Sequence, residues 1–149
     1  MDTVWIVVAD AARARILSCE GRACQGLHEI ETLTHTESRV HPRDLVTDRP
    51  GRSWSSAGGD GRHAMQETTD PSVNERNRFA REVADRLRGG YHSGSYQRLV
   101  ILAAPQFLGA LRELLDPQVA QIVTAQIAKN VSKIQDPAAL RSHLPDFLY

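Results

Sequence analysis

Apolar positions along the chain fall into two kinds of pattern. Val4 to Ala9 and Leu99 to Ala104 are short and nearly continuously apolar, as expected of strands buried on both faces. After the first run, a turn at 10–12 leads to Ala14–Ser18, which contains Ile16 and Leu17. Glu20-Gly21-Arg22 is a turn signal, and Leu27 to Leu33 then alternates imperfectly, with Leu27, Glu29, Glu31 and Leu33 on one face. Three strands joined by short turns predict an antiparallel meander. Val123, Ala125 and Ile127 alternate with Thr124, Gln126 and Ala128, predicting a last strand.

Helical spacing fills the rest of the second half. Asp70-Pro71 is a helix start, with Asp as N-cap and Pro at the first helical position. Val73, Ala80, Val83, Ala84 and Leu87 recur on one stripe flanked by Phe79, and Gly89-Gly90 is the expected stop. The opposite face, with Glu75, Arg76, Arg78, Glu82, Asp85 and Arg86, reads as solvated. Pro105 opens a second helix with Phe107, Leu108, Leu111, Leu114 and Leu115 toward the core, and Asp116-Pro117 breaks it. Asp136-Pro137 caps a last short helix through His143. The order β-β-β-α-β-α-β-α predicts an α/β fold, a mixed β-sheet flanked by helices. At 149 residues one domain spanning 1–149 is expected.

Residues 35–69 sustain neither period and read as a long irregular loop. They hold His35, His41 and His63, the arginines 39, 43, 49, 52 and 62, and the run Ser53-Trp54-Ser55-Ser56-Ala57-Gly58-Gly59-Asp60-Gly61. A loop of this length in a compact domain is usually functional or disordered, so the candidate site falls here. Arg49, Arg52, Arg62 and His63 surround Gly58, Gly59 and Gly61. Glycine exposes backbone N–H groups, and arginine forks onto phosphate oxygens. Trp54 can stack on a base or pin the loop to the body. The histidine spacings match no compact zinc motif, so His35, His41 and His63 are expected as solvent-exposed loop residues.

Composition narrows the classes. Formal net charge is zero, so any attraction to nucleic acid must come from a local patch. Of the 18 basic residues 16 are Arg, the residue suited to bidentate phosphate contacts. No run approaches the roughly 20 apolar residues of a membrane span, and no signal-peptide pattern opens the chain; the expected location is cytoplasmic, without membrane insertion. Cys19 and Cys24 lack any metal-ligand partner set and read as reduced thiols, a disulfide across the hairpin being the alternative. Asp10, at the end of the first strand, reads as a cap for the turn that follows. No cofactor or metal site is expected.

The segments WIVVADAARARIL, GRHAMQETTDPSVNERNRFAREVADRL and RLVILAAPQFLGALRELL resemble bacterial proteins named for attachment to host cells, with a likeness running from Trp5 to about Leu144. That family is similar to the middle domain of peptide-chain release factors and of the Pelota ribosome-rescue proteins. The resemblance implies a ribonuclease-H-like fold. It also implies an acidic residue in the QIAKNVSK stretch, where this chain carries Asn130. Release factors place Gly-Gly-Gln in the loop before the long helix; the corresponding dipeptide here is Gly58-Gly59, followed by Asp60, which offers no side-chain amide. The expected function is a module binding RNA or the ribosome. Alternatives are a hydrolase of peptidyl- or aminoacyl-tRNA esters and an indirect factor in bacterial attachment to host cells.

Overall fold

The computed structural model describes residues 2–35 and 71–149. Strands β1 (Thr3–Ala9), β2 (Arg13–Glu20) and β3 (His28–Thr34) form the expected meander. Helix α1 (Pro71–His92) leads to β4 (Arg98–Ala103), followed by α2 (Pro105–Leu114), α3 (Pro117–Gln121), β5 (Val123–Ala128) and α4 (Pro137–Arg141). The five strands make one sheet in the order β3-β2-β1-β4-β5. β1 runs antiparallel to β2, with Val7 opposite Ile16, and parallel to β4, with Val7 opposite Ile101. β4 and β5 are also parallel. The result is the mixed α/β sheet that the apolar runs predict.

β1 is continuously apolar because both of its faces are covered. Trp5, Val7 and Ala9 point into a core shared with Phe79, Val83 and Leu87 of α1 and Phe107, Leu108 and Leu111 of α2. Val4, Ile6 and Val8 point the other way, into a second core closed by Leu140, Leu144 and Leu148 of the C-terminal segment. Burying a Val, Leu or Phe side chain contributes roughly 1.5–3 kcal/mol, so the central strand is the most heavily stabilised element. β3 is different: it lies at the sheet edge, Ile30 is 48% exposed, and its pairing with β2 shifts register between Ile16 and Leu17.

Several expectations are corrected. Gly89-Gly90 does not end α1. An ideal Cβ at Gly90 would lie 2.6 Å from Trp5 Cη2, so this glycine admits an aromatic ring against the helix. The helix continues to His92, and Gly94, at φ 76°, is the left-handed residue beyond its end. Asp116-Pro117 does not simply break α2; it starts the five-residue α3, with Pro117 at the first position. The last helix stops at Arg141, short of His143.

Cys19 and Cys24 are joined in a disulfide, with Cα atoms 5.5 Å apart, rather than standing as reduced thiols. β2 ends at Glu20, Gly21 turns the chain at φ 83°, and Cys24, also left-handed at φ 49°, brings its sulfur back to Cys19. This turn is also where the C-terminal segment docks. The Arg141 guanidinium donates to the carbonyls of Ala23 (2.8 Å), Cys24 (2.9 Å), Pro145 (2.9 Å) and Asp146 (2.9 Å). Leu148 N donates to Arg22 O at 2.8 Å. Among the described residues, no helix is long and apolar enough to cross a membrane.

Candidate functional site

β1 and β4 are adjacent and parallel, yet the chain leaves their carboxyl ends in opposite directions, toward β2 from one and toward α2 from the other. In open α/β sheets, such a switch point is where a crevice opens for ligands. The pockets here lie to the β2–β3 side of that point, between the start of β2, the end of β3 and the loop following β5.

Asp10 is the first residue beyond β1. Its Oδ1 accepts from the backbone N–H groups of Ala12 (2.8 Å) and Arg13 (3.0 Å), as the capping expectation requires. Its Oδ2 accepts from the Ser132 hydroxyl at 2.5 Å, a contact across 122 residues. Burial would raise the Asp10 carboxyl, but the hydrogen bonds from Ser132, Ala12 and Arg13 and the charge of Arg13 outweigh it and hold the group below its ordinary range. The Ser132 backbone N–H and hydroxyl also face Asn130 Oδ1, at 3.1 and 2.8 Å. The hydroxyl has one hydrogen, and the shorter contact assigns it to the carboxylate.

Arg13 and Arg15 alternate along β2 and so project to the same side of the sheet. Arg13 Nη2 donates to Ser132 O at 3.2 Å. Arg15 is only 5% exposed. Its Nε pairs with Glu29 Oε1 at 3.1 Å, and its Nη1 donates to Ile134 O at 2.6 Å. Two longer contacts, both 3.4 Å, run to Ser132 O and Gln135 O. A buried guanidinium is stable only when its charge and donors are met, and here one carboxylate and three carbonyls meet them. The loop at 132–135 is thereby fastened to β2 by side chains. Glu29 is held below its usual range first by the Thr32 hydroxyl, which donates to Oε2 at 2.6 Å, and then by Arg15.

Two pockets open on this framework. One, of about 500 Å³, is lined by Asp10, Ala12, Arg13, Thr34, Ser132 and Lys133. The other, of about 330 Å³, is lined by Arg13, Arg15, Glu29, Thr32, Ser132 and Gln135. Both fall within the usual range of ligand clefts, roughly 300–1,000 Å³. They share Arg13 and Ser132, and so form two lobes of one cleft.

Every residue of the sequence-predicted site (Arg49, Arg52, Trp54, Gly58, Gly59, Asp60, Gly61, Arg62 and His63) lies outside the described residues, as do His41 and most of the long loop. His35 is described, and it corrects the expectation of an exposed loop histidine. It is 1% exposed, stacks on Phe79 with ring centroids 5.3 Å apart, and donates its backbone N–H to Ala12 O at 2.9 Å. Sequence reasoning passed over Arg13, Arg15, Ser132 and Lys133. A signal was present: arginines at alternate positions of an otherwise apolar strand, Arg13-Ala14-Arg15-Ile16-Leu17, mark an inward-facing charged pair that needs partners. Among the described residues, no group of three or more His, Cys, Asp or Glu side chains is placed to hold a metal ion.

A family model described as "Protein required for attachment to host cells" matches residues 5–144. No curated protein matches the chain. Among solved structures, the archaeal translation termination factor aRF1 is similar at 10% identity and a TM-score of 0.45, over 97% of this chain and 35% of that one. A structure described only as an archaeal protein is similar at 12% identity and a TM-score of 0.44, over 87% of this chain and 31% of that one. The chain thus spans about a third of the length of each.

Proposed function

The chain belongs to the family of proteins required for attachment to host cells, and we propose that it serves there as a binding module for RNA, in the setting of the ribosome, with any effect on attachment an indirect one exerted from the cytoplasm. The observation that carries this reading is the cleft between the end of β1, the start of β2, the end of β3 and the loop after β5, where Arg13 and Lys133 line one pocket with Asp10, a carboxylate that already accepts three hydrogen bonds. A phosphate approaching Arg13 and Lys133 meets two cations, while the Asp10 charge is spread over three hydrogen bonds. Arg49, Arg52 and Arg62, which lie outside the described residues, are proposed as further phosphate contacts. The strand order, with β2 alone running opposite to β1, β3, β4 and β5, supports the ribonuclease-H-like arrangement that the sequence resemblance implies.

Binding is favoured over catalysis by the state of the polar groups. Asp10 is held low and accepts three hydrogen bonds, so it is a poor general base at neutral pH. The second group at the Ser132 hydroxyl is the neutral amide of Asn130. Among the described residues, the groups at the Ser132 hydroxyl are the Asp10 carboxylate and the Asn130 amide, and no hydrolytic step is assigned.

The test is filter binding to RNA and to ribosomes across a salt series. Wild type is compared with Lys133→Ala and with a triple Arg49, Arg52 and Arg62 to Ala variant. Each phosphate contact removed should weaken binding and flatten the salt dependence by roughly one charge's worth. Equal affinity and slope in all three proteins would remove both patches from the interface. No binding by wild type would overturn the RNA reading.

A further inference from the structure

The two lobes of the cleft differ in chemistry, and the difference specifies a ligand. The lobe of Arg13, Lys133 and Thr34 offers cations and a hydroxyl around a satisfied Asp10, a set that accepts an anion. In the adjoining lobe, the positive charge of Arg15 is already consumed by Glu29 and by the carbonyls of residues 132, 134 and 135. Apart from Arg13 and Ser132, which it shares with the first lobe, what remains there is the Glu29 carboxylate, with lone pairs beyond those facing Arg15 and Thr32, together with the Thr32 hydroxyl and the exposed Gln135 amide. Such a set accepts from and donates to hydroxyl groups, and its carboxylate repels phosphate.

We propose that the cleft binds one phosphorylated sugar unit, with the phosphate at Arg13 and Lys133 and the sugar hydroxyls at Glu29, Thr32 and Gln135. Arg13 and Ser132 line both lobes, so the junction of sugar and phosphate lies over the Arg13–Ser132 contact. The orientation follows from Lys133, which lines only the first lobe: there Arg13 and Lys133 together face the one carboxylate of Asp10, whereas in the other lobe Arg15 is bound to Glu29 and Arg13 alone remains. This inference deepens the RNA reading, since the repeating unit of RNA is a ribose phosphate whose 2′-hydroxyl a protein can read. A free sugar phosphate presents the same chemistry.

The experiment is calorimetric titration of the full chain with AMP, dAMP, ribose 5-phosphate and inorganic phosphate, for wild type, Lys133→Ala and Glu29→Gln, with circular dichroism confirming that each variant is folded. Saturable binding of AMP or ribose 5-phosphate is expected. Lys133→Ala should weaken every phosphate-bearing probe about tenfold, the scale of a lost charge-assisted hydrogen bond. Glu29→Gln should weaken AMP and ribose 5-phosphate while leaving inorganic phosphate unchanged, and dAMP should bind more weakly than AMP. AMP binding more tightly than ribose 5-phosphate identifies a nucleic-acid source, and equal binding a sugar-phosphate source. Absence of saturable binding by all four probes overturns the proposal, as does binding indifferent to both substitutions. RNA retained equally by wild type and both variants sinks the cleft assignment alone. AMP binding without RNA binding sinks the RNA reading and leaves the cleft assignment standing.

Discussion

Replacing Gly90 with alanine sets one methyl group against Trp5. An ideal Cβ there stands 2.6 Å from Trp5 Cη2, 2.7 Å from Cζ3 and 3.1 Å from Tyr96 Cε1. Neither ring yields cheaply. Trp5 and Tyr96 stack with centroids 4.5 Å apart, and the Tyr96 hydroxyl donates to Leu87 O at 2.6 Å. Arg86 covers the outer side of Trp5, 5.2 Å from the ring centroid. Forcing a methyl into such packing costs about 1–3 kcal/mol. The same substitution gains about 1 kcal/mol of helix propensity, because Gly90 lies inside α1. The preceding glycine is an internal control. Nothing lies within 4 Å of a Cβ at Gly89, so Gly89→Ala collects the propensity gain alone. The helix term is common to both variants and cancels between them, leaving a separation of about 1–3 kcal/mol that measures the collision itself. Thermal unfolding followed by circular dichroism resolves this, at about 2–4 °C per kcal/mol for a chain of this size. Gly89→Ala should melt above wild type and Gly90→Ala below Gly89→Ala. Equal melting of the two variants would refute the packing argument. Destabilisation by both would restore the glycine pair as a helix stop.

The remaining predictions concern the core, the disulfide and the cleft. Leu111→Ala should cost about 2–5 kcal/mol, because Leu111 is fully buried between α2 and the sheet; denaturant unfolding showing less than 1 kcal/mol would contradict that placement. Alkylation of the denatured, unreduced protein should find neither Cys19 nor Cys24 reactive, and Cys24→Ser should lower stability by about 2 kcal/mol through loss of the short closed loop; two labelled thiols would refute the pairing. Asp10 has its folded-state pKa lowered, so its stabilising contribution is present above the unfolded value near 3.8 and fades as pH falls through the folded value. The stability gap between wild type and Asp10→Asn should therefore hold steady above about pH 5 and close below about pH 4; a gap independent of pH down to 2 would show that the carboxylate charge is not what Ser132 and Arg13 recognise.

The sequence showed the elements whose evidence is local. Val4–Ala9 and Leu99–Ala104 revealed buried strands because both faces of a central strand must be apolar, and Pro105 and Asp136-Pro137 marked helix starts through fixed backbone geometry. What escaped depended on distant partners. Nothing near Gly90 in sequence says that Trp5 lies against it. His35 reads as a polar loop residue until Phe79 is placed beneath its ring. The cleft was the largest omission, since Asp10 and Arg13 meet Ser132 only after β5 has been laid beside β4. The candidate arginines of the long loop were chosen on composition, and they lie outside the described residues.

The parallel pairing of β1 with β4 has a consequence for biosynthesis. Val4 is opposite Arg98, so the partner on one side of β1 is made 94 residues after β1 itself. At ~5–20 residues per second of translation, that edge waits on the order of 5–20 s. During this interval the nascent chain can complete the β1–β2–β3 hairpins, but the most apolar strand keeps one row of backbone donors and acceptors open. Both of its faces also lack their covers, since α1, α2 and the C-terminal segment all follow. An open apolar edge is a template for pairing with another chain. The burden therefore falls on co-translational protection, and slowing synthesis between β3 and β4 should raise aggregation of newly made chains without altering the stability of the finished fold.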